Sequence, residues 1–499
     1  MRILSFSVLV GMLALVTARP VCAAPDQNQT PPPPKPPDQG QGQGGQGQGQ
    51  GGQGQGGLGL WLGRPQANRP YRGLFGGGVG ETEHLLTLGL NAGGGYDSSV
   101  FVDNRLDSTA PVDPTAPVDP TAPVDPTAPV VFTRTTSGFG AGSANLNYSF
   151  SKEPVSLWAS GGAGLAYYPR LLDPFVHRYF VDGGGSWKTS TNTGVAGSYS
   201  LLFRPIQHLV SVPVGALDPN LDPALGPGNP FDTTLGGPSE TYRNENGQAS
   251  FSYRASKRVQ LSFGGGGWRV VAPDRRYNSS MIDLSARATI GVAKDLGVYT
   301  GYRFSTQRAA SELDLAPFRT NSIDVGLHFA KALSLTRHTY LSFGTGTSAV
   351  SDGNDTQYSI TGHVNLMREL GRTWNASASY SRDAQFVQTF LQPVFSDTVS
   401  GTVSGLFSRR VRFDSGVHLS YGRVGFRGPS NGYNAFHATA GIGIAINRYL
   451  SGGARYVYSR YSFGNQVVVP LDLLYATDRH GVSVNLSSWL PLYTRTRRP

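Results

Sequence analysis

The chain has 499 residues, of which 38% are apolar and 15% charged, and its mean hydropathy is −0.24. No run of about 18 apolar residues exists, which argues against a protein anchored in a membrane by helices. The net charge of +10 comes from arginines and lysines that are scattered along the chain. Because they form no basic stripe, nucleic-acid binding is not expected.

Residues 1–23 have the pattern of a secretory signal peptide. Met1-Arg2 is a short basic start, residues 3–16 form an apolar stretch, and Val21-Cys22-Ala23 offers small residues for cleavage. Cys22 is the only cysteine in the sequence, and the residues before it do not resemble a lipidation box. Removal of this segment would leave a mature chain without disulfides.

Residues 24–80 are predicted to be a disordered periplasmic extension. The proline run Pro31–Pro37 favours an extended polyproline II conformation, and the Gly-Gln tract Gln39–Gly57 has no apolar residue to bury. Two interpretations remain open. The segment is either a tether that contacts peptidoglycan or another periplasmic partner, or an extension without a specific partner.

From residue 81 onwards, apolar and polar residues alternate in strand-length stretches. Leu86–Ala92 and Ile282–Ile290 are typical examples. Such alternation places one face of an antiparallel sheet in an apolar medium and the other in water. It recurs about eighteen times without a helical period, and this predicts an all-β, transmembrane antiparallel up-and-down barrel over residues 81–499, with about 18 strands (about 16–20).

The same alternation assigns side chains to the two faces. It predicts that Leu88, Leu284, Val325 and Ile442 face lipid, and that their neighbours Thr87, Ser285, Asp324 and Thr439 face the lumen.

The predicted connections alternate between long and short. Long ones are predicted at residues 97–132, 205–240, 383–395 and 461–477, and short ones include 151–154, 256–257, 333–337 and 408–410. Long extracellular loops and short periplasmic turns are typical of outer-membrane barrels. Because the first connection is long, both termini are predicted to be periplasmic. That connection contains the sequence Thr-Ala-Pro-Val-Asp-Pro three times in succession within residues 109–126, and its prolines cannot join a β-ladder.

Over residues 81–490 the chain resembles Gram-negative outer-membrane β-barrel proteins of the porin-like class. Residues 88–101 look like the opening strand of β-barrel porins associated with exopolysaccharide export, and Arg479–Leu486 matches the assembly signal of outer-membrane barrels. One departure is that the chain continues beyond Trp489 and Tyr493 instead of ending on an aromatic residue. The resemblance implies outer-membrane lipids, lipopolysaccharide and the barrel assembly machinery as partners. No plug domain precedes the barrel, which disfavours siderophore-type uptake.

Charged residues and histidines at inward positions are the candidate pore-lining residues. They are Arg178, Asp182, Lys188, Asp283, Arg287, Arg303, Asp324, His328, His363, Arg412, Asp414, His418 and Arg455. Such residues can discriminate solutes by charge and hydrogen bonding. The alternative is that they form ion pairs that only stabilise the wall. Because both signs of charge occur, no ion selectivity follows.

The predicted function is a porin-like channel for passive passage of hydrophilic solutes, with saccharides as one candidate class. The alternative is a non-conducting structural or surface-interaction barrel whose interior is closed by loops. A third interpretation is a lipid hydrolase, because His418-Leu419-Ser420 resembles the His-x-Ser pair of outer-membrane lipid A deacylases. Alternation points both side chains into the lumen, so no catalytic residue is assigned. The histidines lack metal-ligand spacing, and no cofactor or metal is expected.

Overall fold

A computed structural model describes residues 82–103, 132–170, 174–205, 241–271, 278–293, 296–309, 317–329, 339–351, 355–371, 373–386, 392–426, 431–464 and 476–496. The predicted signal peptide, the predicted extension and the proline-containing repeat lie outside these residues. Within the described ranges, no helix is long and apolar enough to cross a membrane.

The described residues form one closed, 18-stranded antiparallel sheet. The strands are β1 (Thr82–Asp103), β2 (Phe132–Lys152), β3 (Val155–Tyr167), β4 (Phe175–Lys188), β5 (Thr193–Pro205), β6 (Thr241–Arg254), β7 (Val259–Val271), β8 (Ser279–Ala293), β9 (Leu296–Ala309), β10 (Phe318–Phe329), β11 (Thr339–Ser351), β12 (Thr356–Leu370), β13 (Trp374–Phe386), β14 (Pro393–Leu406), β15 (Val411–Val424), β16 (Gly432–Ala445), β17 (Leu450–Phe463) and β18 (Ala476–Thr496). Each strand pairs with its neighbours in sequence, and β1 pairs with β18. The predicted fold class and strand number are therefore confirmed.

Several strands extend further than predicted. β1 continues to Asp103 through residues that were expected to be loop, and β18 continues to Thr496. β13 reaches Phe386 and β14 begins at Pro393, so most of the connection predicted at residues 383–395 is strand. At the start of β14, for example, Pro393 is followed by the inward apolar side chain of Val394. The apolar-polar alternation therefore fades, although the backbone ladder continues.

The two ends of the barrel differ in their connections. Connections after odd-numbered strands include residues 104–131 and 206–240, and we refer to this side as the long-loop end. Connections after even-numbered strands are mostly short, such as residues 153–154, and this side is the short-turn end. The turn predicted at residues 333–337 lies outside the described residues. β1 begins and β18 ends at the short-turn end.

Alternation along the strands gives the barrel an apolar outer face. In β8, Ile282 and Leu284 are 57% and 55% exposed, and Asp283 lies between them on the inner face. Val325 and Ile442 are 48% and 43% exposed, as expected for residues predicted to face lipid. Water would disfavour so continuous an apolar surface, whereas the hydrocarbon core of a bilayer would stabilise it.

Aromatic side chains form two belts on the outer face. Exposed members at the short-turn end include Tyr148, Trp187, Phe407 and Tyr493, and those at the long-loop end include Tyr96, Tyr167, Tyr179 and Tyr421. Aromatic girdles at the two interfaces flank the apolar band of transmembrane barrels. The outer face therefore has the pattern of a membrane-spanning surface.

Candidate functional site

The inner face of the barrel carries the charged residues that alternation predicts for it. Along β4, Arg178 and Asp182 alternate with the exposed, outward side chains of Tyr179 and Val181. The strand registers also place nine other predicted residues on the inner face. They are Asp283, Arg287, Arg303, Asp324, His363, Arg412, Asp414, His418 and Arg455.

Lys188 and His328 differ from the other predicted pore-lining residues. Lys188 is the last residue of β4, its side chain is 65% exposed, and its Nζ lies 3.5 Å from the carboxylate of Glu153 in the adjoining turn. It therefore lies at the rim of the short-turn end. His328 belongs to β10, but its side chain lies outside the part of the chain that the structure describes.

A glycine lies between the partners of the shortest ion pair among the predicted lumen residues. The register aligns Arg287 of β8, Gly301 of β9 and Asp324 of β10 in one row across three strands. Arg287 Nη2 donates a hydrogen bond to Asp324 Oδ2 at 2.8 Å, although the two backbones are about 9–10 Å apart. A Cβ atom at position 301 would collide with the Asp324 carboxylate. Glycine therefore allows opposite charges two strands apart to meet.

Tyr299 extends this cluster across two further strands. The register aligns Tyr299, Gly326, Gly344 and His363 on β9, β10, β11 and β12. The tyrosine ring lies over both glycines, where added Cβ atoms would collide with it, and its hydroxyl is 3.5 Å from His363 Nε2. The guanidinium carbon of Arg287 is 4.1 Å from the ring centroid. Sequence reasoning missed Tyr299, because the facing glycines become visible only in the strand register.

The same arrangement recurs on β15, β16 and β17. Asp414, Gly441 and Arg455 form one row, and Arg455 Nη2 lies 3.5 Å from Asp414 Oδ2. Arg412 Nε lies 3.9 Å from the other oxygen of the Asp414 carboxylate. This second cluster brings two guanidinium groups to one carboxylate.

Asp283 and Arg303 have the longest N–O distance among the ion pairs described on the inner face. Their closest atoms are 4.0 Å apart, and their side chains are 30% and 36% exposed. Both side chains therefore remain partly accessible from the interior of the barrel. The inner face thus presents both signs of charge to a solute.

An inner ion pair that the sequence analysis did not predict joins the first and last strands. The Asp97 carboxylate is fully buried and accepts hydrogen bonds from Arg479 Nε at 3.3 and 3.2 Å and from Nη2 at 2.8 Å. Beside it, the backbone amide of His480 donates to Ser98 Oγ at 2.7 Å. These contacts lie where β1 and β18 close the barrel.

His418 and Ser420 both face the interior, as alternation predicted. They are only 7% and 2% exposed. The Ser420 hydroxyl lies 2.9 Å from the Tyr433 hydroxyl and 3.3 Å from Thr398 Oγ1. A pair that is buried on the inner face has no access to lipid, which argues against a lipid hydrolase. No group of three or more potential metal ligands occurs among the described residues.

An apolar cluster that was not predicted lines the inner wall at the long-loop end of β14–β17. Its members are Val394, Val424, Tyr433, Ala435, Tyr461 and Phe463. Val394 and Val424 are 0% and 1% exposed, and the registers place all six on the inner face. A wall open to bulk water would expose these side chains. In this sector of the barrel mouth, the inner side chains are therefore shielded from bulk solvent.

No protein-family model matches the chain, and no curated protein matches it. Among solved structures, OccK2 (OpdF) of Pseudomonas aeruginosa in complex with glucuronate is similar at 10% identity and a TM-score of 0.41, with 83% of this chain and 100% of that chain covered. OccAB4 of Acinetobacter baumannii is similar at 10% identity and a TM-score of 0.39, with 82% and 99% covered. The siderophore receptor PirA from Pseudomonas aeruginosa is similar at 11% identity and a TM-score of 0.38, with 81% and 80% covered. Identities and TM-scores this low do not assign the function of those proteins to this chain.

Proposed function

We propose that the protein is an outer-membrane channel for the passive passage of hydrophilic solutes. The observation that carries this proposal is the charged inner face, with ionic rows of both signs, enclosed by an apolar outer face. A barrel of about 16–18 strands is wide enough to leave an aqueous channel. The predicted pore-lining residues would meet the solute, except for Lys188, which lies at the rim, and His418, which is buried.

Uncharged polar side chains between the ionic rows favour hydroxylated solutes, among which saccharides are the class that we propose. Gln248 Nε2 donates to Ser198 Oγ at 2.9 Å, and Asn91 Nδ2 donates to Ser143 Oγ at 3.3 Å. Amides and hydroxyls can exchange such bonds for bonds to a passing hydroxyl group. This supports passage of neutral polar molecules without requiring a net charge.

Conductance in planar bilayers tests the channel, and Asp283 and Arg303 provide a matched pair of variants. We expect stepwise openings from the native barrel. Asp283→Asn should shift the reversal potential in a salt gradient toward anion selectivity, and Arg303→Gln should shift it toward cation selectivity, because each removes one solvated lumen charge. Stability should change by less than about 1 kcal/mol in both. Identical shifts in the two variants would exclude these residues from the conducting path.

The second candidate is a non-conducting structural or surface-interaction barrel. The buried apolar cluster on the inner wall of β14–β17 favours it, because an aqueous pore would leave those side chains wet. Folded barrels that insert into bilayers and remain electrically silent would support this candidate. Openings of porin size would exclude it.

We further propose that the long-loop end is extracellular and that both termini are periplasmic. Short periplasmic turns and longer extracellular loops support this orientation. An epitope tag inserted after Pro120, between β1 and β2, should be labelled on intact cells. A tag at Lys257, in a short turn, should be labelled only after the outer membrane is permeabilised. The reverse pattern would invert the barrel.

The proposed partners follow from this placement. They are outer-membrane lipids, lipopolysaccharide and the barrel assembly machinery, together with peptidoglycan or another periplasmic partner for residues 24–80. The apolar outer face supports the contact with lipid.

A further inference from the structure

One sector of the outer face carries a cluster of arginines just beyond the apolar band. Arg269 of β7, Arg308 of β9 and Arg319 of β10 are exposed and lie at the long-loop end. We propose that this arginine cluster binds the phosphate groups of the phosphorylated glycolipid of the outer leaflet. The inference rests on the proposed outer-membrane placement of the barrel.

The strand register brings these side chains together on one face. Arg269 pairs with Ser280, and Ser280 pairs with Arg308, so that the three residues form one row. The two arginines in the row are separated by two strand spacings, about 9–10 Å. Arg319 pairs with Thr306, two residues before Arg308, and is therefore its diagonal neighbour at about 7–8 Å.

Among the described residues, the three arginines have no ion-pair partner. Among the ion pairs between described residues, none includes Arg269, Arg308 or Arg319. The carboxylate nearest to them in the described register belongs to Glu245, which pairs with Arg269 across the ladder, but its Oε1 already lies 2.9 Å from Arg243 Nη2. Like charges held this close on an exposed surface repel one another unless an anion lies between them.

Outward arginines at the same end of β13–β17 do not share this property. Arg382 Nε lies 3.8 Å from Asp397, and Arg460 Nε lies 3.4 Å from Asp478. The guanidinium carbon of Arg423 lies 4.9 Å from the ring centroid of Phe395. These three residues form a control set with equal charge at the same end of the barrel.

The surface below the cluster fits the apolar part of the same ligand. Ile282 lies two residues from Ser280 toward the middle of β8 and is 57% exposed, and Ile323 lies on β10 below Arg319 and is 59% exposed. A glycolipid offers phosphates at the headgroup level and acyl chains below it. Guanidinium groups bind phosphate oxygens through paired hydrogen bonds, so both parts of the lipid would find a complementary surface.

Affinity for lipid A tests the proposal. The folded full-length barrel in detergent micelles is titrated with bisphosphorylated lipid A and with the same lipid after removal of its phosphates, and retention is measured by native mass spectrometry. We expect the native barrel to prefer the phosphorylated form by at least about tenfold. The triple variant Arg269→Gln, Arg308→Gln, Arg319→Gln should lose this preference. The matched variant Arg382→Gln, Arg423→Gln, Arg460→Gln should keep it.

Equal preference in the native barrel and the first triple variant would overturn the proposal. Phosphatidylglycerol is titrated in the same way. If the first triple variant lost affinity for phosphatidylglycerol and for phosphorylated lipid A by the same factor, the proposal would also be overturned, because the cluster would then respond only to anionic charge. Heat-modifiable migration shows that each variant is folded. A conducting barrel without the lipid preference would overturn this inference alone. A silent barrel with the preference would support it and overturn the channel proposal.

Discussion

Leu284→Arg is expected to lower the free energy of unfolding of the assembled barrel by about 2–4 kcal/mol. Leu284 lies near the middle of β8, points outward and is 55% exposed. A guanidinium group there would have to enter the hydrocarbon core or bend toward an interface, and both cost free energy. The measurement is the urea midpoint of heat-modifiable migration for barrels folded into vesicles.

Neighbours of Leu284 provide the matched controls. Leu284→Ile keeps the outer face apolar and should change stability little. Ser285→Gln alters the next residue, which lies on the inner face opposite Arg303, and it should also be tolerated. Asp324, which alternation also placed inward, is a poor control because Arg287 is bonded to it. If Leu284→Arg and Ser285→Gln had equal effects, the assignment of the two faces would be wrong.

The sequence was sufficient to predict the barrel because alternation is a local property. Each strand shows its two faces in its own residues, as Ile282, Asp283 and Leu284 do, and counting strands requires no knowledge of their partners. The predicted end of β1 was wrong, because the alternation weakens where the strand extends beyond the apolar band. Asp97 belongs to β1 but was assigned to a loop, because beyond the membrane an inward aspartate no longer alternates with obligatory apolar residues.

The sequence predicts which residues of the inner site point inward, but it does not predict which of them contact one another. Alternation identified Arg287 and Asp324 as inward, yet they are 37 positions apart, and their bond depends on Gly301 lying between them. Sequence alone does not give the register, so the row remained hidden. The apolar cluster around Tyr433 was missed for a related reason. An inward apolar side chain at a strand end looks like an irregularity until its neighbours on three other strands are known.

The seam between β1 and β18 should be the most sensitive electrostatic element of the barrel. Asp97→Ala would leave the guanidinium of Arg479, whose side chain is 11% exposed, without its carboxylate. Removing one partner of a buried ion pair typically costs about 3–5 kcal/mol, because the remaining charge is desolvated and uncompensated. We expect a loss of this size in the urea midpoint of the folded barrel.

A solvent-exposed ion pair provides the control that distinguishes the loss of a buried ion pair from the loss of any negative charge. Lys188 and Glu153 are 65% and 81% exposed and 3.5 Å apart, so Glu153→Ala should cost less than about 1 kcal/mol. The double variant Asp97→Ala, Arg479→Met should recover part of the stability lost in Asp97→Ala, since it removes the uncompensated charge. If Asp97→Ala cost no more than Glu153→Ala, the buried pair would not hold the seam. The closure of the barrel would then depend on the backbone ladder between the first and last strands alone.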